Sequence, residues 1–187
     1  RNWFQIMLDQ LVLIEMDGGV IDPPDGGVML IIDSETDPAR LVKFGEPNKP
    51  VRLIANQAGM LIAHSGSAIR DAIEIDAESV IMAPIRTARN QGIGLVILCA
   101  NTAAVAGILS QMDVVELIDH LMQAGERLRV RFHRKMSIVC VVHHPKTDGT
   151  FQNFYVNVDA WRSFYEIYEI QVHERLDDPD FVPMERL

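Results

Sequence analysis

The chain has 187 residues, 48% of them hydrophobic and 23% charged, the make-up of a globular domain able to bury a full core. A formal net charge of −9 argues against an electrostatic grip on nucleic acid or an anionic membrane. Its two cysteines, Cys99 and Cys140, lie in apolar runs without CxxC spacing, which predicts buried free thiols in a reducing, cytoplasmic setting rather than a zinc site or a redox pair.

No signal peptide is visible, and the start at Arg1 reads as an end that is trimmed, processed or lacking disordered residues. In Asn2–Met16, Trp3, Met7, Leu11 and Ile14 share a helical face, although QLVLIEM also fits a strand. DGGVIDPPDGGV follows as a loop; its aspartates Asp17, Asp22 and Asp25 lack the spacing and closing Glu of an EF-hand. Val28–Ile32 is a compact strand, DSETDP a polar turn, and Arg40–Phe44 the return of a hairpin. From Asn48 and Pro50 a helix is predicted through Val51, Ile54, Ala58 and Ile62 to Gly66, with a VRLIAN/MLIAH hairpin as the alternative.

Ser79–Ile85 reads as a strand, RTARNQG as a loop, and Ile93–Ala100 as a central strand. No charge falls between Gln91 and Met112, but Asn101, Thr102, Ser110 and the glutamines favour burial over a membrane span. Ser110 is a helix N-cap, Val114, Leu117, Ile118 and Leu121 form its apolar face, and Gly125 is its stop. Arg127, Arg129 and Arg131 then alternate with Leu128, Val130 and Phe132 at strand period. Ser137–Val142 and Phe151–Val158 are strands flanking a turn in HHPKTDGT, and Asp159 is read as the cap of a last helix before the acidic tail LDDPDFVPMERL.

These elements predict an α+β fold: a mainly antiparallel sheet of five to seven strands flanked by two to four helices. The division expected is a core over residues 1–128 and a C-terminal hairpin-helix extension over 129–187, with a single domain over 1–187 as the alternative. The order of elements in VMLIIDSETDPARLVKFG, AHSGSAI and SVIMAPIRTARNQGIGLVIL, with Ala83-Pro84 before Gly92-Ile93-Gly94, resembles the GAF family of sensory domains. That resemblance implies a GAF- or profilin-like antiparallel sheet and a role in small-molecule sensing or dimerisation. It carries over no ligand residue, and the segment from Arg131 to Leu187 lies outside the pattern.

Candidate chemistry is sparse. His143 and His144 invite a metal, but neighbours on a strand point to opposite faces and cannot share one ion without a bulge. His64-Ser65-Gly66-Ser67 has no nucleophile elbow and reads as a helix end. RLRVRFHRK, from Arg127 to Lys135, holds five of the seventeen Lys and Arg residues and reads as a solvated strand face or a subunit contact. Seven of the twelve aromatics lie between Phe151 and Tyr168, either a satellite core or an interface of Trp161, Phe164, Tyr165 and Tyr168, joined by Arg129 and Arg131.

The function expected is a non-enzymatic regulatory or interaction domain, a homo-oligomer or partner-binding protein that senses a small molecule and uses no cofactor. An assembly protein of phage or secretion type is one alternative. A metal-dependent hydrolase built on His143 and His144 is the other. Functional residues are expected at the margins of the central stretch, in the 86–92 loop and after Gly125.

Overall fold

The computed structural model describes residues 3–55, 82–103, 114–132 and 135–176. Among them are six strands in one sheet and four helices. The order along the chain is α1 (Trp3–Asp9), β1 (Leu13–Glu15), β2 (Val28–Ile31), β3 (Val51–Ile54), α2 (residues 82–90), β4 (Leu95–Asn101), α3 (Val114–Phe132), β5 (Ser137–Pro145), β6 (Phe151–Val156) and α4 (Val158–Leu176). No described helix is long and apolar enough to cross a membrane.

Across the sheet the strands run β1-β6-β5-β4-β2-β3. The pairings β3–β2, β2–β4 and β4–β5 are parallel; only β5–β6 and β6–β1 are antiparallel. The mainly antiparallel sheet expected from the sequence is therefore corrected to a mostly parallel one. The physical reason lies in the strands themselves. VMLI and LVILCAN are nearly continuous apolar runs, buried on both faces, as parallel strands between two covering layers must be. The strands β1 and β2 share this sheet with β5 and β6, which follow residue 129.

Period-two alternation divides the interior into two cores. Met29, Ile31, Val96, Leu98, Cys140, Val142 and Phe154 point to a face covered by all four helices, through Trp3 and Met7, Ile85 and Ala88, Leu117, Ile118 and Leu121, and Trp161 and Phe164. Val28, Leu30, Ile97, Cys99 and Val141 point to the other face, covered by Met16, Ile21, Leu41 and Val42 from the irregular segments around β2. Both cysteines are buried free thiols. Burial pushes the Cys140 thiol up to about 11 and Cys99 further still.

Several local expectations change. The helix predicted for Asn2–Met16 stops at Asp9, because Leu11 adopts φ 57° and Val12 N–H bonds back to Met7 O; the QLVLIEM strand alternative is realised as β1. Arg40–Phe44 is no hairpin strand. Asp37 caps a 3₁₀ turn over Pro38–Arg40, and only a single bridge joins Ile21 to Val42. Val51–Ile54 is β3 rather than the start of a helix. Gly27, at φ 94°, lets the chain pass Pro50 so closely that a Cβ there would lie 2.3 Å from Pro50 O.

The end of SVIMAPI is helical, within α2. Helix α3 runs straight through Gly125 to Phe132, so the alternation of Arg127, Arg129 and Arg131 is helix, not strand. Gly125 is there for contact: an added Cβ would fall 2.5 Å from Cys140 Sγ. The last helix is capped by Asn157, whose Oδ1 accepts from Ala160 N–H, not by Asp159. The turn at Asp148–Thr150 and strands β4, β5 and β6 stand as read. The Ser110 cap, the 64–67 cluster, residues 56–81 and the acidic tail lie outside the described residues.

Candidate functional site

The direction of the chain reverses at β2. The segment between β2 and β3 packs on the loop-covered face, whereas α2, which lies between β3 and β4 in the chain, and α3, between β4 and β5, pack on the helical face. Moving the other way along the sheet on the opposite face preserves the hand of the crossover. The carboxyl ends of β2 and β4 therefore send their loops apart, which opens a crevice between them, the place where open α/β sheets bind ligands.

Fully buried polar residues gather on this side of the sheet, while His120 Nδ1 on α3 is a buried polar atom away from it. Thr36, Asn101, His143 and Asn153 are the buried polar residues among the described residues; Thr36 and Asn101 stand at these strand ends, and His143 and Asn153 continue the row from Asn101 across β5 and β6. After β2, Asp33 Oδ1 accepts from the N–H groups of Glu35 and Thr36 and from the Thr36 hydroxyl, which folds the DSET segment into a tight turn. Asn101, at the end of β4, donates from Nδ2 to Thr36 Oγ1 at 3.0 Å and accepts at Oδ1 from Ala103 N–H at 2.9 Å. One carboxamide thus ties the turn after β2 to the turn after β4.

Asn153 performs the same task one layer away. It is fully buried on β6, and its Nδ2 donates to Gly19 O at 2.5 Å and Arg40 O at 2.7 Å, fastening both covering loops to the sheet. Its Oδ1 meets His143 Nδ1 at 2.6 Å, the two residues facing each other in cross-strand register. Burial holds the His143 imidazole below its ordinary value, against the opposing pull of that hydrogen bond. Arg40 lies with its guanidinium carbon 5.2 Å from the Phe151 ring centroid, a cation–π contact that fixes the side chain at the rim.

Together Glu35, Asp37, Arg40, Asn101, Ala103, His143 and Pro145 line an open cavity of about 360 Å³. That volume falls within the ~300–1,000 Å³ usual for small-molecule sites. The lining mixes two carboxylates, one guanidinium, one carboxamide and one imidazole. It suits a small polar ligand held by complementary charge and hydrogen bonds.

The residues singled out from the sequence are dispersed. His143 belongs to the crevice, but His144 points to the helical face, where its Nδ1 lies 2.7 Å from Thr102 Oγ1 and its ring packs against Phe4. Burial, then Lys146 and His143, keep His144 below its ordinary value. Among the described residues no three His, Cys, Asp or Glu side chains converge as a metal site requires. Trp161, Phe164 and Tyr168 are buried on the helical face, with Trp3 set edge-on against Phe164 and Tyr168 at 5.8 and 5.0 Å. Tyr165 stacks on Trp161, and its hydroxyl is raised by burial and by Asp119 and Glu169. Arg129 donates to Ile138 O and pairs with Glu126, and Arg131 is exposed on the last turn of α3. Residues 86–92 form the end of α2 and its terminal turn.

Sequence reasoning missed Thr36, Arg40, Asn101 and Asn153. The available signals were an Asx-turn sequence directly after one apolar strand and an Asn closing another, which gain meaning only once the two strands are known to be parallel neighbours. No protein-family model, no curated protein and no solved structure matches the chain.

Proposed function

We propose that the protein is a binding domain for a small polar molecule, held in the crevice at the carboxyl ends of β2 and β4, and that it acts as a sensor rather than as a catalyst. The observation that carries this reading is the concentration of buried polar side chains at that one place. Burying hydroxyl, carboxamide and imidazole groups costs free energy even when they are paired. Here that cost is met where a topological switch also opens a cavity, and the four groups position Arg40, Asp37 and Glu35 around it. The crevice supplies acceptors and a cation but no activated nucleophile, which favours recognition over turnover.

The test is a two-dimensional amide NMR titration with a panel of small polar metabolites. A binding compound is expected to shift the amides of Glu35, Arg40, Ala103 and His143 together while the amides of α4 stay fixed. Shifts centred on α4 or on the exposed side of α3, with the crevice silent, would overturn the reading.

A further inference from the structure

The hydrogen-bond network assigns the proton on His143. Both hydrogens of the Asn153 carboxamide go to backbone carbonyls, Gly19 O and Arg40 O, so the amide cannot be turned over without setting two oxygens against an oxygen. Oδ1 must therefore be the acceptor and His143 Nδ1 the donor of their 2.6 Å bond. In a neutral imidazole the other nitrogen, Nε2, then carries a lone pair and no proton. It has no hydrogen-bond partner among the described residues, and the ring lines the crevice although only 2% of the residue is exposed. An acceptor at the wall of an open cavity, with no donor from the protein, marks a position that a ligand's N–H or O–H fills.

The rest of the lining narrows the chemistry. Arg40 takes part in no ion pair among the described residues. It is steadied by Phe151 rather than by a carboxylate. Glu35 and Asp37 are exposed acids on the same rim. An anion alone would bring lone pairs against Nε2, and a cation alone would leave the guanidinium desolvated and uncompensated.

Building on the crevice as a ligand site, we infer that its ligand is a small zwitterion carrying an amine and a carboxylate. The amine donates an N–H to His143 Nε2, with Asp37 and Glu35 as its countercharge. The carboxylate pairs with the Arg40 guanidinium, whose planar fork matches it.

Two measurements test this. With histidine labelled by nitrogen-15, the ligand-free protein at pH 7.5 (about one unit above the ordinary histidine value) is expected to show His143 with Nδ1 protonated and Nε2 bare. Then free L-amino acids are titrated beside their N-trimethylated betaines, the matching amines and the matching carboxylic acids, following the crevice amides. Amino acids are expected to bind about tenfold or more tightly than their betaines, which lack the N–H, and Arg40→Gln is expected to weaken them by about the same factor. An Nε2–H tautomer, or equal binding of the betaine, the amine or the carboxylic acid, overturns the zwitterion assignment while leaving the crevice a ligand site. Silence of the crevice toward every compound overturns both readings.

Discussion

Asn101 on β4 donates to the hydroxyl of Thr36, 3.0 Å away across the gap between two strand ends, and that hydroxyl in turn donates to Asp33. The carboxamide is thus the only side chain described here that bonds both crevice turns. Asn101→Leu keeps the shape but removes the donor to Thr36 Oγ1, which retains its bond to Asp33, and the acceptor of the Ala103 N–H. A loss of about 1–3 kcal/mol in urea denaturation is expected, with faster amide exchange at Thr36 and Ala103. An unchanged midpoint would mean the turns hold without it.

Asn153 has more to lose. Asn153→Leu leaves two backbone carbonyls and the His143 Nδ1–H without their partner, and Asn153→Asp sets a carboxylate against the same carbonyls. Both variants are expected to fall by about 3 kcal/mol or more. Thermal unfolding by circular dichroism reads this directly, and the Asp form should recover part of the loss at low pH.

The imidazole gives a pH dependence with a definite sign. His143 binds a proton less readily when folded than its ordinary value of 6.5 implies, because burial opposes the charge, with Arg40 acting the same way and Asp33 and Asp37 against it. The unfolded chain therefore takes up protons first as pH drops. Stability from this group is complete above 6.5 and declines as pH falls below it toward the folded value. Melting temperature in wild type should drop between pH 7 and 5 more steeply than in His143→Gln. Parallel curves for the two proteins would count against the argument.

Gly125 and Cys140 form a tight contact between α3 and β5. Gly125→Ala gains helix propensity but drives a methyl onto the sulfur, and a net loss of up to about 2 kcal/mol is expected. In a Cys140→Ala background the same change should become stabilising by up to about 1 kcal/mol. A double-mutant cycle that closes with no coupling would remove the contact as the cause.

Trp161 is 5% exposed and packed on Phe164 and Tyr165. Trp161→Ala is expected to cost about 3–5 kcal/mol of folding stability. Chemical denaturation followed at several protein concentrations separates that from a change in self-association, since a loss through dissociation would vary with concentration.

What the sequence made legible follows from how each element advertises itself. β4, β5 and β6 are bounded by polar turns, which mark them close to their observed limits. The Asp148-Gly149 turn was equally plain. Errors came where punctuation is missing or carries a second meaning. The first helix is stopped by Leu11 in a left-handed conformation that no glycine announces. Gly125 looks like a stop but answers a cysteine fifteen positions on. Val51–Ile54 has a helix-like start in Asn48 and Pro50, yet it pairs with β2, a contact that no local pattern encodes. The crevice was illegible for the same reason: Thr36, Asn101 and Asn153 are ordinary turn residues until strand order brings them together.

The pairing of Leu13 with Val156 carries one more consequence. A strand made first finds its sheet partner only after β6 has been made, so during synthesis Val12 and Leu13 must wait, uncovered, while β2, β4 and β5 assemble. The parallel core can form before β1 is placed, and closing the sheet then crosses a very long loop.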